Sequence, residues 1–141
     1  MTLRLSPHFS LAELTTTRQR ELKNTPPAKI VAVLRQTAAR MEDVRRLLGD
    51  HPITVNSGYR SQAVNAAVGG SKTSDHRTGH AVDFTCRSFG DPRRICRILA
   101  STDLPFDQLI DEGTWVHISF SPRNRRQVLT KAGRGYVEGL R

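Results

Sequence analysis

Two short alternating runs, residues 81–86 and 115–120, constrain this chain more than any other part of it. In a strand, successive side chains point to opposite faces. Val82 and Phe84 therefore share one face of the first run, and Val116, Ile118 and Phe120 share one face of the second. Both apolar faces belong against a core. Asp83, with Ala81 and Thr85, then points away from that core, and so does His117, beside Trp115 and Ser119. Two residues able to bind a metal thus stand at the centres of two strands, each on the uncovered face. His76 lies just before the first strand, in a polar loop over residues 71–78 that Gly79 ties down. Two histidines and one aspartate with an open fourth position form the ligand set of a catalytic zinc.

The surrounding sequence supplies helices before and between the strands. Ser10 and Glu13 fit a reciprocal capping box, which predicts a short helix over residues 11–23. Asn24-Thr25-Pro26-Pro27 breaks it, and Pro27 can serve as a first helical residue. Ile30, Leu34, Thr37, Ala38, Met41, Val44 and Leu48 then recur at helical spacing up to Gly49. Residues 53–56 alternate and are β-branched, which reads as a strand. Ser61 caps a short helix to residue 68, and Asp91-Pro92 opens another to about residue 101. Residues 106–112 and 115–120 read as a hairpin over Gly113-Thr114, with glycine first as a type II′ turn prefers. Residues 127–131 read as an edge strand and residues 132–141 as a loose tail. The sum is an α+β fold in one domain over residues 1–141. Its N-terminal helices pack on a small, mostly antiparallel sheet that carries the site.

Composition narrows the function classes. A chain of 141 residues suits one domain with its own core. No apolar run approaches the roughly 18 residues of a membrane span. The first ten residues lack the apolar centre of a signal peptide, so synthesis in the cytoplasm without one is expected. Lys and Arg number 22 against 13 Asp and Glu, a net charge of +9. That field draws polyanions such as an anionic cell envelope. Nucleic acid is not expected as a partner, because aromatics are 6% and no zinc-finger spacing or reading helix is recognisable. The two cysteines, Cys86 and Cys96, exclude a disulfide framework and a cysteine-rich zinc site, and both read as core residues. A metal would have to be held by histidine and carboxylate.

Residues 74–83 follow the pattern S-x-H-x-x-G-x-A-x-D, and Trp115-Val116-His117 follows as W-x-H. The combination resembles the zinc D-Ala-D-Ala carboxypeptidase/endopeptidase family (peptidase M15-like), which cuts bacterial cell-wall peptides at D-alanine and includes many phage endolysins. Ser57-Gly58-Tyr59-Arg60-Ser61 and residues 64–71 are similar to that family's segment ahead of the first ligand. The opening residues 5–14 are similar to its short phage and prophage members.

The resemblance implies that His76, Asp83 and His117 bind Zn²⁺ and that Arg60 lies in the site. A guanidinium there either holds a substrate carboxylate or stabilises the oxyanion on the scissile carbonyl. Ser74 and Asp75 line the same cleft, unless Ser74 only braces the loop. Trp115 either packs over the substrate or shields the ligands. The general base departs from the pattern. Many relatives carry a carboxylate three residues before the last histidine, where this chain has Thr114. The nearest candidate is Glu112, which a two-residue turn would pair with Trp115, diagonal to His117 on one face. Gln108 would pair with Ser119 on that face, while Asp111 points to the other. A glutamate so placed could take a proton from the attacking water. His80 sides with Val82 by parity and stands outside the ligand set.

The expected function is that of a zinc peptidase acting on peptidoglycan stem or cross-link peptides next to D-alanine. The resemblance further implies a monomeric phage or prophage lysin that reaches the wall once a separate membrane protein opens the way. The alternative is a non-catalytic, zinc-bound binding module on the same fold, which the residue at Thr114 keeps open.

Overall fold

A computed structural model describes residues 3–141, so the reading of the first ten residues falls partly outside it. Arg4–Ser6 (β1) and Phe9–Ser10 (β2) form a two-stranded antiparallel ribbon that the sequence patterning did not predict. The capping box forms: Ser10 Oγ accepts from the Glu13 amide, and the Glu13 carboxylate accepts from the Ser10 amide. The helix it opens, Leu11–Leu14 (α1), stops far short of residue 23. To continue, the Leu14 and Thr15 carbonyls would have to accept from the amides four residues on. Instead Tyr59 N–H donates to Leu14 O at 2.8 Å, and Asn24 Nδ2 donates to Thr15 O at 2.8 Å. Tertiary partners have taken the groups that would have propagated the helix.

Ala28–Leu47 (α2) is the long helix, with Pro27 as its N-cap rather than its first helical residue. Leu34, Thr37, Ala38, Met41 and Val44 form its buried stripe. Thr54–Ser57 (β3) leads to Gln62–Ala67 (α3), whose N-cap Ser61 accepts from Val64 N–H. Ala81–Thr85 (β4) is followed by Pro92–Ala100 (α4), with Asp91 as cap and Pro92 in the first turn. Gln108–Asp111 (β5) and Val116–Ser119 (β6) make the hairpin, and Gly113 takes the positive φ of +95° that a type II′ turn needs at its first position. Gln127–Ala132 (β7) and Gly135–Glu138 (β8) close the chain.

The main sheet runs β3-β4-β6-β5-β7-β8. β7 lies parallel to β5, and every other pair is antiparallel, so the sheet is mixed. Two expectations change here. β7 is an interior strand, not an edge, because β8 pairs along its outer side. Residues 135–138, expected in a loose tail, are that outer strand, and the Gly139 amide donates to Val128 O at 2.8 Å to hold the end down.

Val82, Phe84, Val116 and Ile118 pack in one core cluster with Leu34, Ala38, Met41 and Val44 of α2. A one-residue slip between β4 and β6 would turn such side chains outward, at roughly 1.5–3 kcal/mol each. The apolar face therefore sets the register, and the polar face inherits it.

Candidate metal centre

β4 and β6 place Asp83 directly opposite His117 in the antiparallel ladder. His76 arrives from the loop before β4, with its ring edge-on to that of His117 and centroids 5.2 Å apart. His76 Nδ1 donates to the Gly58 carbonyl at 2.7 Å. A carbonyl only accepts, so that bond fixes the tautomer and leaves the Nε2 lone pair free. Nε2 lies 3.2 Å from Asp83 Oδ1, and His117 Nδ1 lies 2.9 Å from the same oxygen. Ligand atoms of the three residues all fall within 4.8 Å of one another. Ligands of tetrahedral zinc at bond lengths of about 2.0–2.2 Å stand about 3.4 Å apart. The donor set and spacing therefore fit a metal ion of this kind.

Several main-chain contacts fix His76 and its loop. Gly58 approaches the end of α1 so closely that an added Cβ would lie 2.3 Å from Leu14 O. The neighbouring Tyr59 amide makes the bond that stops α1, so that stop and the anchor for His76 are one packing event. Arg60 N–H donates to His76 O, and Thr37 Oγ1 of α2 donates to Gly79 O at the loop's end. Ser74 Oγ accepts from His76 N–H at 3.2 Å, so this side chain braces the loop while also lining the cleft.

Asp83 is buried, which alone would raise its pKa. The imidazoles of His76 and His117 outweigh that and hold the carboxyl well below the usual carboxylate range. Arg60 Nη2 stands 3.4 Å from Asp83 Oδ2, with Nε toward Ser57 Oγ and Nη1 toward Asn65 Oδ1. Burial lowers the pKa of its guanidinium, against the pull of Asp83 and Glu112, yet arginine stays charged.

These groups line a cleft of about 470 Å³ together with Ser74, Asp75, Gln108, Glu112 and Trp115. Gln108 pairs with Ser119, and Glu112 N–H donates to Trp115 O, the arrangement that the two-residue turn predicts. Asp111 turns to the other side, is buried, and accepts from Gly113 N–H. Asp75 lines the cleft, but its carboxylate is engaged by Ser119 Oγ and by Arg123 Nη2 at 2.9 and 3.0 Å. Gln108 donates to Gln127 Oε1. His80 bonds to Thr78 and stays outside the cluster. Cys86 and Cys96 are buried free thiols.

Sequence reasoning missed two residues that shape the site. Tyr136 of β8 lines the cleft and donates from its hydroxyl to Glu112 Oε1 at 2.9 Å. Partial desolvation against the cleft wall and the Glu112 carboxylate push the phenol up to about 12, so it stays a donor at neutral pH. Its signal lay in the glycine turn at residues 133–135 followed by alternation. Asn24 bridges three segments, donating to Thr15 O and Tyr59 O while accepting from Ser61 N–H. No local pattern announces such a bridge.

The family model described as "Peptidase M15" matches residues 7–119. A 54-residue stretch is 44% identical to a "Zinc D-Ala-D-Ala carboxypeptidase" of Streptomyces albus G. The stretch is 38% of this chain and 21% of that relative, so the chain spans about a fifth of the curated protein it matches.

Proposed function

The chain belongs to the M15 peptidase family, and on that premise we propose that it is a zinc-dependent peptidase cutting peptidoglycan stem or cross-link peptides beside D-alanine. One observation carries the reading: His76, Asp83 and His117 converge from a loop and two central strands into one metal-competent cluster on a cleft. The name of the relative supports both the metal and the substrate class.

When bound, zinc acidifies a water and polarises a carbonyl. Asp83 supplies the anionic ligand, and His76 and His117 supply neutral imidazole nitrogens. Glu112 takes the proton of the attacking water and passes it to the leaving amine as the C–N bond breaks. Tyr136 holds the Glu112 carboxylate through its hydroxyl. Arg60 offers paired donors to charge developing on the scissile carbonyl or to a substrate carboxylate. Ser74, Asp75, Gln108 and Trp115 border the space where the peptide lies.

A net charge of +9 suits work on an anionic envelope. Among the described residues no helix is long and apolar enough to cross a membrane. The reading extends to a monomeric phage or prophage lysin that acts on the wall after release from the cytoplasm. Mass spectrometry of digested peptidoglycan tests the central step. New peptide ends should appear with zinc and vanish with chelator and in His117→Ala. A digest without new ends, from protein loaded with zinc, would leave the non-catalytic module in its place.

A further inference from the structure

A second cavity, of about 700 Å³, adjoins the metal cleft and shares Arg60, Asp83 and Trp115 with it. It covers the outer side of β3 and the end of β4, where Thr54 and Thr85 pair across the strands. Its charge is one-sided. Arg18, Arg60 and Arg87 line it, and among the described residues Asp83 is its one carboxylate. Asp83 is already engaged by two imidazoles and Arg60. Arg18 and Arg87 are exposed and take part in no ion pair among the described residues. The arginines near the other cleft differ, since Arg123 is committed to Asp75 and Arg125 to Asp107.

Guanidinium donors match carboxylates, and a cleft of one sign concentrates ligands of the other. The volume is that of a drug-sized ligand, far beyond one terminal amino acid. Val68 and Trp115, 47% and 36% exposed, add apolar surface to its lining. We propose that this cavity binds the continuation of an acidic peptide past the scissile bond, with Arg18 and Arg87 recognising its carboxylates. The inference rests on the peptidase reading and deepens it: a chain seated in both cavities is cut at an internal bond, not at its last residue.

Two synthetic stem-type peptides test it, alike except that the carboxylates of one are amidated. Binding to zinc-loaded Glu112→Gln protein is read from the fluorescence of Trp115, the single tryptophan, which borders both cavities. Cleavage by the zinc-loaded parent chain is read by mass spectrometry. The acidic peptide should bind about tenfold more tightly and be cut internally. Arg18→Gln with Arg87→Gln should lose most of that preference, with Arg60 keeping the remainder, and charge reversal to glutamate at both positions should reduce it further. Equal binding to the parent site, or a preference undiminished in the double variant, overturns the proposal. A binding preference without cleavage keeps the acidic site but overturns the peptidase reading. Cleavage without a preference does the reverse.

Discussion

On one side of the cleft stand β4 and β6, inside the sheet; on the other stand β7 and β8, its final hairpin. His76 and Asp83 are 3% and 7% exposed, and each is tied to main chain or to charged neighbours. Tyr136 is 47% exposed and reaches the cleft through one hydroxyl bond, with Lys131 Nζ 5.4 Å from its ring centre. The family model ends at residue 119, before the hairpin begins. The difference separates two tasks. The central strands bring together the groups able to hold a metal, and the hairpin holds the Glu112 carboxylate, the proposed base, beside them.

If that division holds, Asp83→Asn should have the largest effect on function. Zinc content measured by atomic absorption should fall with it, and turnover should drop by ~10³-fold or more. Retained zinc would show that the central strands do not hold the metal through Asp83. Gly58→Ala should act on the fold instead, because its new Cβ meets backbone at 2.3 Å, where no side chain can yield. A loss of roughly 2–4 kcal/mol in urea unfolding is expected. Tyr136→Phe removes one hydrogen bond to a charged, partly exposed acceptor. It should lower kcat about tenfold with KM, zinc content and melting temperature kept. An unchanged kcat would make the hairpin a mere wall.

The smallest effect lies away from the cleft, at the root of β7. Asp107 accepts from Arg125 Nε and Nη2 and from its amide, and the guanidinium bonds hold its carboxyl below the ordinary value of 3.8. A carboxyl with a depressed folded pKa stabilises above the unfolded value and loses that contribution as pH falls through the folded one. The melting temperature should therefore fall in acid below about pH 4, and the fall should be shallower in Asp107→Asn.

The metal side was legible because alternation sets it. Asp83 and His117 lie between apolar neighbours whose burial leaves them one face, and the turn at Gly113 fixes which residues of β5 and β6 face each other. The reach of α1 was not legible. Local capping predicts a helix, but the Tyr59 amide claims the Leu14 carbonyl and Asn24 claims that of Thr15, both from beyond the turn that the capping box can see. β7 read as a strand, yet whether it is an edge depends on a parallel partner in β5 and on a tail strand. Period-two patterning says nothing about either neighbour. Glu112 was legible as a face, while its Tyr136 partner depended on that same tail.

The proposed reaction asks two things of one molecule: zinc held by His76, Asp83 and His117, and a proton moved by Glu112. Glu112→Gln separates the two, with zinc stoichiometry and turnover of peptidoglycan peptides measured on one sample. One bound zinc with turnover lowered by about 10²–10⁴-fold is the expected result. Near-normal turnover with zinc in place would contradict it.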